Sequence, residues 1–423
     1  MGAMSAARSR EANTTSAVSV RRYELDWLRT GAVFGLIPFH VAVVFTSGAY
    51  DYVKNAQTSA VMDFLVAFVS AWGIPLLFLV AGGSARYALA ARGVKRYLNE
   101  RVTRLLIPFI FGMLLIVPVQ VYIGRLSAPT PPPFPVFYGE FLWSLALIFT
   151  GQLPRGPDWI GHLWFIPPLM LFAALAIPFA RLLRTERGRA MVEWLAGGMR
   201  GYSALLLLGL PLALIYWLAL ASAGWMPTAA AAAFAGNAAG TVAFLVFFLY
   251  GYLLYLDERF LASVRRDTWI ALALGVVIWL GLRFGAVGLG SALINVWWGQ
   301  AVIGALRGYS GWWLVMGILG LAIRYLRFTN PTERYLARAA YPVYIIHMPI
   351  LSLIAFWIVR LDMDIALKFT AITFLSLAVS LAVYEWLIRR IGVLRLLFGL
   401  RAAPQVNSPA SPRPRPTPAA RRR

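Results

Sequence analysis

Ionisable side chains occupy three positions of the first apolar stretch of the chain, at Asp26, Arg29 and His40. On a helix, the eleven residues from Arg29 to His40 make three turns plus about 20°, so both side chains share one face. They are then about 16 Å apart along the axis, and Asp26 is within ion-pair reach of Arg29. Charged groups are costly inside a bilayer and usually face the interior of a helix bundle. The spacing therefore predicts a polar ridge that runs from the end of the helix into the membrane.

Histidine ordinarily titrates near neutrality, which suits it to removing a proton from a hydroxyl group. The chain has three histidines, His40, His162 and His347, and each lies within or at the edge of an apolar stretch. A single histidine in such a place is more often structural than catalytic. His40 differs because it shares a helix face with Asp26 and Arg29. We therefore predict that His40 and Asp26 are catalytic, with His40 as the base and Asp26 orienting Arg29.

A pair of arginines precedes a later apolar stretch, in the segment RVTR from Arg101 to Arg104. Arginines three residues apart on a helix present two guanidinium forks, which suits phosphate groups. The alternative is ordinary flanking charge on the cytoplasmic side, which is how we interpret three nearby basic residues. These are Arg92, Lys95 and Arg96. Together with Arg29, Arg101 and Arg104 would form a basic entrance that binds an anionic, nucleotide-type donor.

Four side chains further along the chain are candidates for binding an acceptor. His162 and Trp164 belong to the segment HLWFIPP, which also fits an interfacial aromatic belt. Tyr344 lies three residues before His347 in YPVYIIHMP, and this spacing places both on one helix face.

Glu385 is a carboxylate within the last apolar stretch. It lies four residues before Arg389, a spacing that favours a local ion pair. The alternative is that Glu385 supports the site by holding an arginine of the basic entrance in place.

Several catalytic motifs are missing from the sequence. It has no Walker A motif, no HExxH and no GxSxG with a following Asp and His. It also lacks an Asp-rich loop for Mg²⁺ and any cysteine for a thiolate metal site or nucleophile. We therefore expect no metal at the site.

The composition predicts an all-α polytopic membrane protein. Of the 423 residues 60% are hydrophobic and 13% are charged. Windows of about 20 apolar residues predict about ten transmembrane helices, at 27–46, 62–84, 104–124, 160–181, 202–222, 237–256, 268–286, 309–326, 339–359 and 366–388. The net charge of +22 would indicate nucleic acid as a partner of a soluble protein. Here the basic residues cluster in alternate loops, so we expect the lipid bilayer and no nucleic acid.

The same charge pattern predicts orientation and domain organisation. The loops around residues 86–104, 181–200 and 324–338 are rich in arginine and the intervening loops are not, so the positive-inside rule places both termini in the cytoplasm. We expect a disordered N-terminal tail at 1–20, a transmembrane domain at 21–400 and a disordered Pro/Arg-rich tail at 401–423.

Two of the predicted outer loops are unusual. Residues 125–159 begin with a proline-rich run and then contain an amphipathic or re-entrant stretch around Glu140 to Phe149. Residues 287–308 contain a tryptophan pair, Trp297 and Trp298, suited to the membrane interface.

These motifs resemble those of the acyltransferase-3 family of integral membrane acyltransferases. RRYELDWLRTGAVFGLIPFH looks like the family's first-span signature, matched here by Arg29 and His40, and RVTR followed by LLIPF resembles its arginine pair. HLWFIPP and YPVYIIHMP resemble its later patches. The closest likeness is to the subgroup that succinylates osmoregulated periplasmic glucans, which shares RYELDWLR, IPFH, HLWF and a last span ending in YE. The resemblance covers most of residues 20–400.

The resemblance implies a multi-pass enzyme of the bacterial inner membrane. Its donor would be cytoplasmic acyl-CoA, either acetyl-CoA or succinyl-CoA, and its acceptor a hydroxyl of a carbohydrate or glycolipid at the membrane or periplasmic side. It implies that His40 is essential and that Arg29, Arg101 and Arg104 serve the donor.

Alternatives stay open at this point. His40 would act as a base, or would first take the acyl group as a nucleophile. A transporter or flippase of a glycan or lipid-linked intermediate is the second hypothesis, although we find no inverted repeat. A structural scaffold leaves the polar ridge unexplained. The sequence leaves open the acyl group, the acceptor and the oligomeric state.

Overall fold

A computed structural model describes residues 22–48, 53–148, 159–199, 204–222, 238–288 and 296–400. Within these ranges the regular structure is helical and no strand is present, so the all-α fold class is confirmed. The two predicted tails, at 1–20 and 401–423, lie outside the described residues.

The α-helices are numbered here in chain order. They are α1 Tyr23–Val44, α2 Ala60–Arg101, α3 Ile107–Phe111, α4 Val117–Arg125, α5 Phe134–Ile148, α6 Ile166–Arg184, α7 Glu186–Gly198, α8 Ala204–Ala221, α9 Ala239–Leu254, α10 Glu258–Arg266, α11 Thr268–Gly288, α12 Trp297–Tyr325, α13 Pro331–Ile358, α14 Ile365–Val383 and α15 Gly392–Leu397. Three π-helical turns join neighbouring helices, at Val102–Leu106, Gly112–Ile116 and Tyr384–Ile388, and a 3₁₀ turn at Gly161–Phe165 precedes α6.

Seven helices of the described ranges are long and apolar enough to cross a membrane, or eight if α9 and α10 form one bent span. The predicted number of about ten is therefore not confirmed. Part of the difference lies in Ala60–Arg125, a continuous helical stretch of 66 residues that contains two of the predicted spans. The helix at Leu205–Ala221 is apolar but shorter, and α9 and α10 meet at an angle of 110°.

The predicted loop at 287–308 is wrong in its second half, because α12 begins at Trp297. Glycines lower the hydropathy of this segment, but they allow a close helix contact. A Cβ atom at Gly304 would lie 2.2 Å from the carbonyl oxygen of Tyr216, and one at Gly308 would lie 2.6 Å from that of Leu212. Small residues four apart commonly mediate such packing between membrane helices, so this segment extends α12 along α8. The other unusual stretch, around Glu140 to Phe149, falls largely on α5, and its end lies outside the described residues.

Three hydrophobic cores organise the described helices. The largest core packs α2, α6, α8, α9 and α12 around large side chains that include Phe78, Phe172 and Trp312. The second core contains Ile37 of α1 and Leu163 of the 3₁₀ turn, with residues of α4, α13 and the chain beyond α14. The candidate site lies at the edge of this second core, where it meets a third core that contains Val44 and Val53.

Candidate functional site

Helix α1 carries the predicted polar ridge. Arg29 donates from Nη2 to Oδ1 of Asp26 at 3.1 Å, which is the pairing that their spacing predicts. The Arg29 side chain is 45% exposed, so its guanidinium is accessible to an anionic ligand. His40 lies eleven residues further along the same unbroken helix.

All three histidines of the chain meet in one cluster, although they come from α1, the 3₁₀ turn and α13. The ring of His347 lies 5.5 Å from that of His40 and 5.3 Å from that of His162, measured between centroids. Tyr344 completes the group, with its ring 5.8 Å from His162. Four of the predicted site residues are therefore neighbours.

His162 is fully engaged in hydrogen bonds. Its Nε2 donates to the carbonyl oxygen of Ile345 at 3.0 Å, because a carbonyl only accepts. In a neutral imidazole Nδ1 is then the acceptor. Nδ1 lies 2.6 Å from the side-chain amide oxygen of Gln120. The amide oxygen and nitrogen of a glutamine can be exchanged by turning the group over. In that orientation the NH₂ group of Gln120 donates to Nδ1. Tyr344 donates from its hydroxyl to the His162 carbonyl at 2.7 Å. His162 therefore ties the 3₁₀ turn to α4 and α13.

His347 is engaged on only one side of its ring. Its Nδ1 donates to the carbonyl oxygen of Tyr344 at 2.7 Å, so Nε2 carries the lone pair in the neutral ring. This Nε2 atom is buried and has no hydrogen-bond partner among the described residues. A buried acceptor without a partner is costly, and it indicates a place for a proton-donating group beside His40.

A small cavity of about 20 Å³ lies on the other side of His40. Its walls include Met348 and Ser352 of α13, and Val53 of the loop that follows α1. Ser352 is 1% exposed, and its Oγ has no partner among the described residues. This volume holds about one water molecule, and therefore also a single hydroxyl group. Because Val53 follows the far end of α1, the cavity and Arg29 are on opposite sides of His40.

Two lysines close the end of α1 near this cavity. Lys54 donates from Nζ to three oxygens there, two of them on Thr46. Lys368 donates from Nζ to Asn55 at 3.0 Å and to the carbonyl of Val359 at 2.9 Å. Both ammonium groups thus lie at helix C-termini, where cations are favourable. Burial lowers the pKa of the Lys54 ammonium.

Hydroxyl groups line the contact of α14 with α1 and α13. Thr373, Ser376 and Ser380 recur at spacings of three and four residues, which places them on one face of α14. Their side-chain oxygens, and that of Thr30 on α1, are buried without partners among the described residues. We call these four residues the hydroxyl run.

The arginines of the RVTR segment lie at a break in regular helix geometry. Arg101 ends α2, and Arg104 lies within the π-helical turn that follows it. The guanidinium carbon of Arg101 lies 4.7 Å from the centre of the Tyr97 ring, a cation–π arrangement. A π turn holds one more residue than an α turn, so residues three apart no longer lie one above the other. The guanidinium groups of Arg101 and Arg104 are therefore expected to point further apart than they would on a regular α-helix.

A family model described as an acyltransferase domain matches residues 22–385. The chain belongs to the acyltransferase-3 family. The predicted resemblance is thereby confirmed, and with seven or eight candidate spans the protein is a membrane-embedded O-acyltransferase.

Curated relatives match this acyltransferase along most of its length. The glucans biosynthesis protein C of Salmonella paratyphi A and that of Salmonella agona are each 23% identical over 403 residues, which is 91% of this chain and 96% of the relative. The protein of the same name from Salmonella schwarzengrund is 22% identical over 400 residues, with the same coverage. No solved structure matches the acyltransferase significantly.

Glu385 and Trp164 of the acyltransferase are placed apart from the histidine cluster. Both carboxylate oxygens of Glu385 accept from Nη1 of Arg389, at 2.8 and 2.7 Å, within and just after a π-helical turn. This is the local ion pair that the spacing favours. Trp164 is 40% exposed and lies against Phe244 of α9, with ring centroids 6.2 Å apart.

Within the described part of the acyltransferase, no three or more His, Cys, Asp or Glu side chains are arranged to bind a metal ion. Both ring nitrogens of His162 are already engaged in hydrogen bonds.

Sequence reasoning missed Gln120, Ser352 and the hydroxyl run of α14. A signal exists for Gln120, since it is a polar residue within the apolar stretch 104–124. The three-and-four spacing of Thr373, Ser376 and Ser380 is a second signal. Ser352 has no such pattern, and only the fold brings it to His40.

Proposed function

We propose that this acyltransferase moves a short acyl group, acetyl or succinyl, from cytoplasmic acyl-CoA to a hydroxyl of a carbohydrate or glycolipid on the outer side of a bacterial inner membrane. The observation that carries the proposal is His40, held between the free Nε2 of His347 and a cavity of the size of one hydroxyl group. The name of the relatives, glucans biosynthesis protein C, supports a glucan-type acceptor.

The proposed orientation places both termini in the cytoplasm, with one acyltransferase domain across residues 21–400. The arginine-rich loops support it through the positive-inside rule. Arg29 then lies at the cytoplasmic end of α1 and the cavity beside His40 lies toward the outside. Donor and acceptor would reach His40 from opposite faces of the membrane.

Arg29, Arg101 and Arg104 bind the donor phosphates through charge-assisted hydrogen bonds, and Asp26 orients Arg29. The acyl-carrying arm then follows the hydroxyl run of Thr30, Ser380 and Ser376 toward His40. The distance from Arg29 to His40, about 16 Å along the helix, suits an extended arm. Glu385 would support the cytoplasmic end of the last span through its ion pair with Arg389.

In the transfer step, the acceptor hydroxyl enters the cavity and His40 removes its proton. The acceptor oxygen forms a bond to the thioester carbonyl carbon, and the carbon–sulfur bond breaks. The proton then passes from His40 to the leaving thiolate, which is released as a free thiol. During this step Nε2 of His347, which has no partner among the described residues, would accept a hydrogen bond from His40 and so orient it. Tyr344 and His162 hold His347 in place. In the two-step variant His40 first takes the acyl group.

The decisive experiment uses purified protein in proteoliposomes with acyl-CoA and a glucan acceptor. Wild-type protein should release free thiol and acylate the glucan, and His40→Ala should lower the rate by about 10²- to 10⁴-fold, the usual contribution of a general base. A folded His40→Ala protein with full activity would refute the mechanism. Glucan uptake without thiol release would instead favour a transporter or flippase.

A further inference from the structure

The cytoplasmic end of α2 has a second basic feature that the proposed site does not use. Helix α2 is interrupted at Gly93, whose φ of 70° and ψ of 168° belong to a region that is essentially restricted to glycine. A Cβ atom at Gly93 would meet nothing within 4 Å, so the backbone is open on this side. Helix α2 is therefore kinked at Gly93.

A groove of about 420 Å³ opens at this break, and we call it the Gly93 groove. Its lining consists of Arg92, Gly93, Val94, Lys95, Arg96 and Asn99. All of its lining residues belong to one short segment of the chain, so the groove is an open depression on the surface. With three cationic side chains and one amide, the groove suits an anion with several oxygen atoms.

The charge of the groove is only partly compensated by the protein. Glu100 accepts from Arg92, and its other oxygen lies 3.8 Å from Nε of Arg96. Lys95 is exposed on the same helix. One carboxylate thus faces three cations, so a bound phosphate would find uncompensated positive charge and several N–H donors.

The groove neighbours the donor entrance along the chain. Arg96 and Arg101 are five residues apart on the helix, which is about 7.5 Å along the axis. Asn99 is also tied to the π-helical turn, because Thr103 donates from Oγ1 to its carbonyl oxygen at 2.9 Å. Five residues also correspond to about 140° around the helix, so a ligand that reached both the groove and Arg101 would wrap around the helix surface.

We propose that the Gly93 groove binds a phosphate group of the nucleotide end of the acyl donor, while Arg101, Arg104 and Arg29 bind the remainder. This inference rests on acyl-CoA being the donor. The phosphate of a lipid headgroup has the same chemistry, and the experiment separates the two sources.

The test uses the full-length protein in nanodiscs of zwitterionic phosphatidylcholine. The variant is Lys95→Ala with Arg96→Ala, and its matched control is Arg187→Ala with Arg189→Ala, two exposed arginines on α7. Calorimetry measures the affinities for CoA and for dephospho-CoA, which lacks one phosphate. The rate of thiol release gives the KM for acyl-CoA. We expect the variant to raise this KM about tenfold with kcat unchanged, as loss of a charged hydrogen bond predicts. It should also lose the wild-type preference for CoA over dephospho-CoA, whereas the control should keep both.

Each other outcome is informative. If the variant keeps the wild-type KM and the preference for CoA, the groove does not bind the nucleotide, and the proposed function stands because thiol release continues. If the variant differs from wild type only in nanodiscs that contain anionic phosphatidylglycerol, the groove binds lipid headgroups and the inference is overturned. If wild-type protein neither binds CoA nor releases thiol, the proposed function itself fails.

Discussion

His162 and His347 lie in one cluster but differ in how their ring nitrogens are hydrogen-bonded. His162 has both ring nitrogens in hydrogen bonds and joins the 3₁₀ turn to α4 and α13. His347 uses Nδ1 for its own helix and leaves Nε2 free beside His40. Ser352 adds a second unpartnered polar atom on the opposite side of His40. Two of the buried polar atoms that lack partners among the described residues thus lie near His40.

We predict that His347→Ala lowers kcat for thiol release by about 10- to 100-fold, because the base loses a group that orients it. The KM for acyl-CoA should stay unchanged, since His347 is remote from the basic entrance. His347→Gln, which places an amide near the former Nε2, should recover part of the rate. An effect on KM alone would contradict an orienting function.

Ser352 and Ser310 form a matched pair for a second prediction. Both are buried, but Ser310 donates from Oγ to the carbonyl of Gly275 at 3.2 Å, whereas Ser352 Oγ has no partner among the described residues. Ser352→Ala should leave thermal stability unchanged and raise the KM for the acceptor severalfold. Ser310→Ala should cost about 0.5–1.5 kcal/mol of stability without changing that KM. Equal acceptor KM values in both variants would show that Ser352 does not contact the acceptor.

At the scale of helices, sequence patterns predict structure within one helix well, but they predict the contacts between helices poorly. The spacing of Asp26, Arg29 and His40 correctly predicts one helix with an ion pair, because both properties are set within a few turns. The break at Gly93 and the π-helical turn at Arg104 were not predicted, since they depend on how α2 packs against its neighbours. The early start of α12 at Trp297 was missed because hydropathy does not register the close backbone contacts that glycine permits.

The packing of α12 on α8 allows a direct test. Gly304→Ala would place a methyl group against the backbone of Tyr216, so we predict a loss of about 1–3 kcal/mol, measured as a lower midpoint in thermal unfolding followed by tryptophan fluorescence. Gly281→Ala on α11 is the control, because its Cβ would meet nothing within 4 Å. Equal midpoints for the two variants would mean that α8 and α12 do not pack in this way.

At the scale of the whole molecule, a large core of α2, α6, α8, α9 and α12 supports a second core that holds the site. The convergence of His40, His162 and His347 belongs to this level. Each histidine was a candidate from its own surroundings, but their meeting depends on the packing of α1, α13 and the 3₁₀ turn. No local pattern contains that information.

The orientation proposed from the arginine-rich loops is testable because the chain has no cysteine. Arg187→Cys on α7 should react with a membrane-impermeant maleimide only when the reagent has access to the cytoplasmic face of the membrane. Ala128→Cys, in the loop after α4, should react from the outside of intact cells. The reverse labelling pattern would overturn the orientation, and with it the assignment of donor and acceptor faces.

The cluster joins the first membrane helix to one of the last, and this has a consequence for biosynthesis. While the polypeptide leaves the ribosome, His40 is made early and His347 follows 307 residues later. A product that ends before α13 therefore lacks His347, one of the three histidines of the cluster. An early stop codon therefore cannot yield a protein that contains the complete histidine cluster.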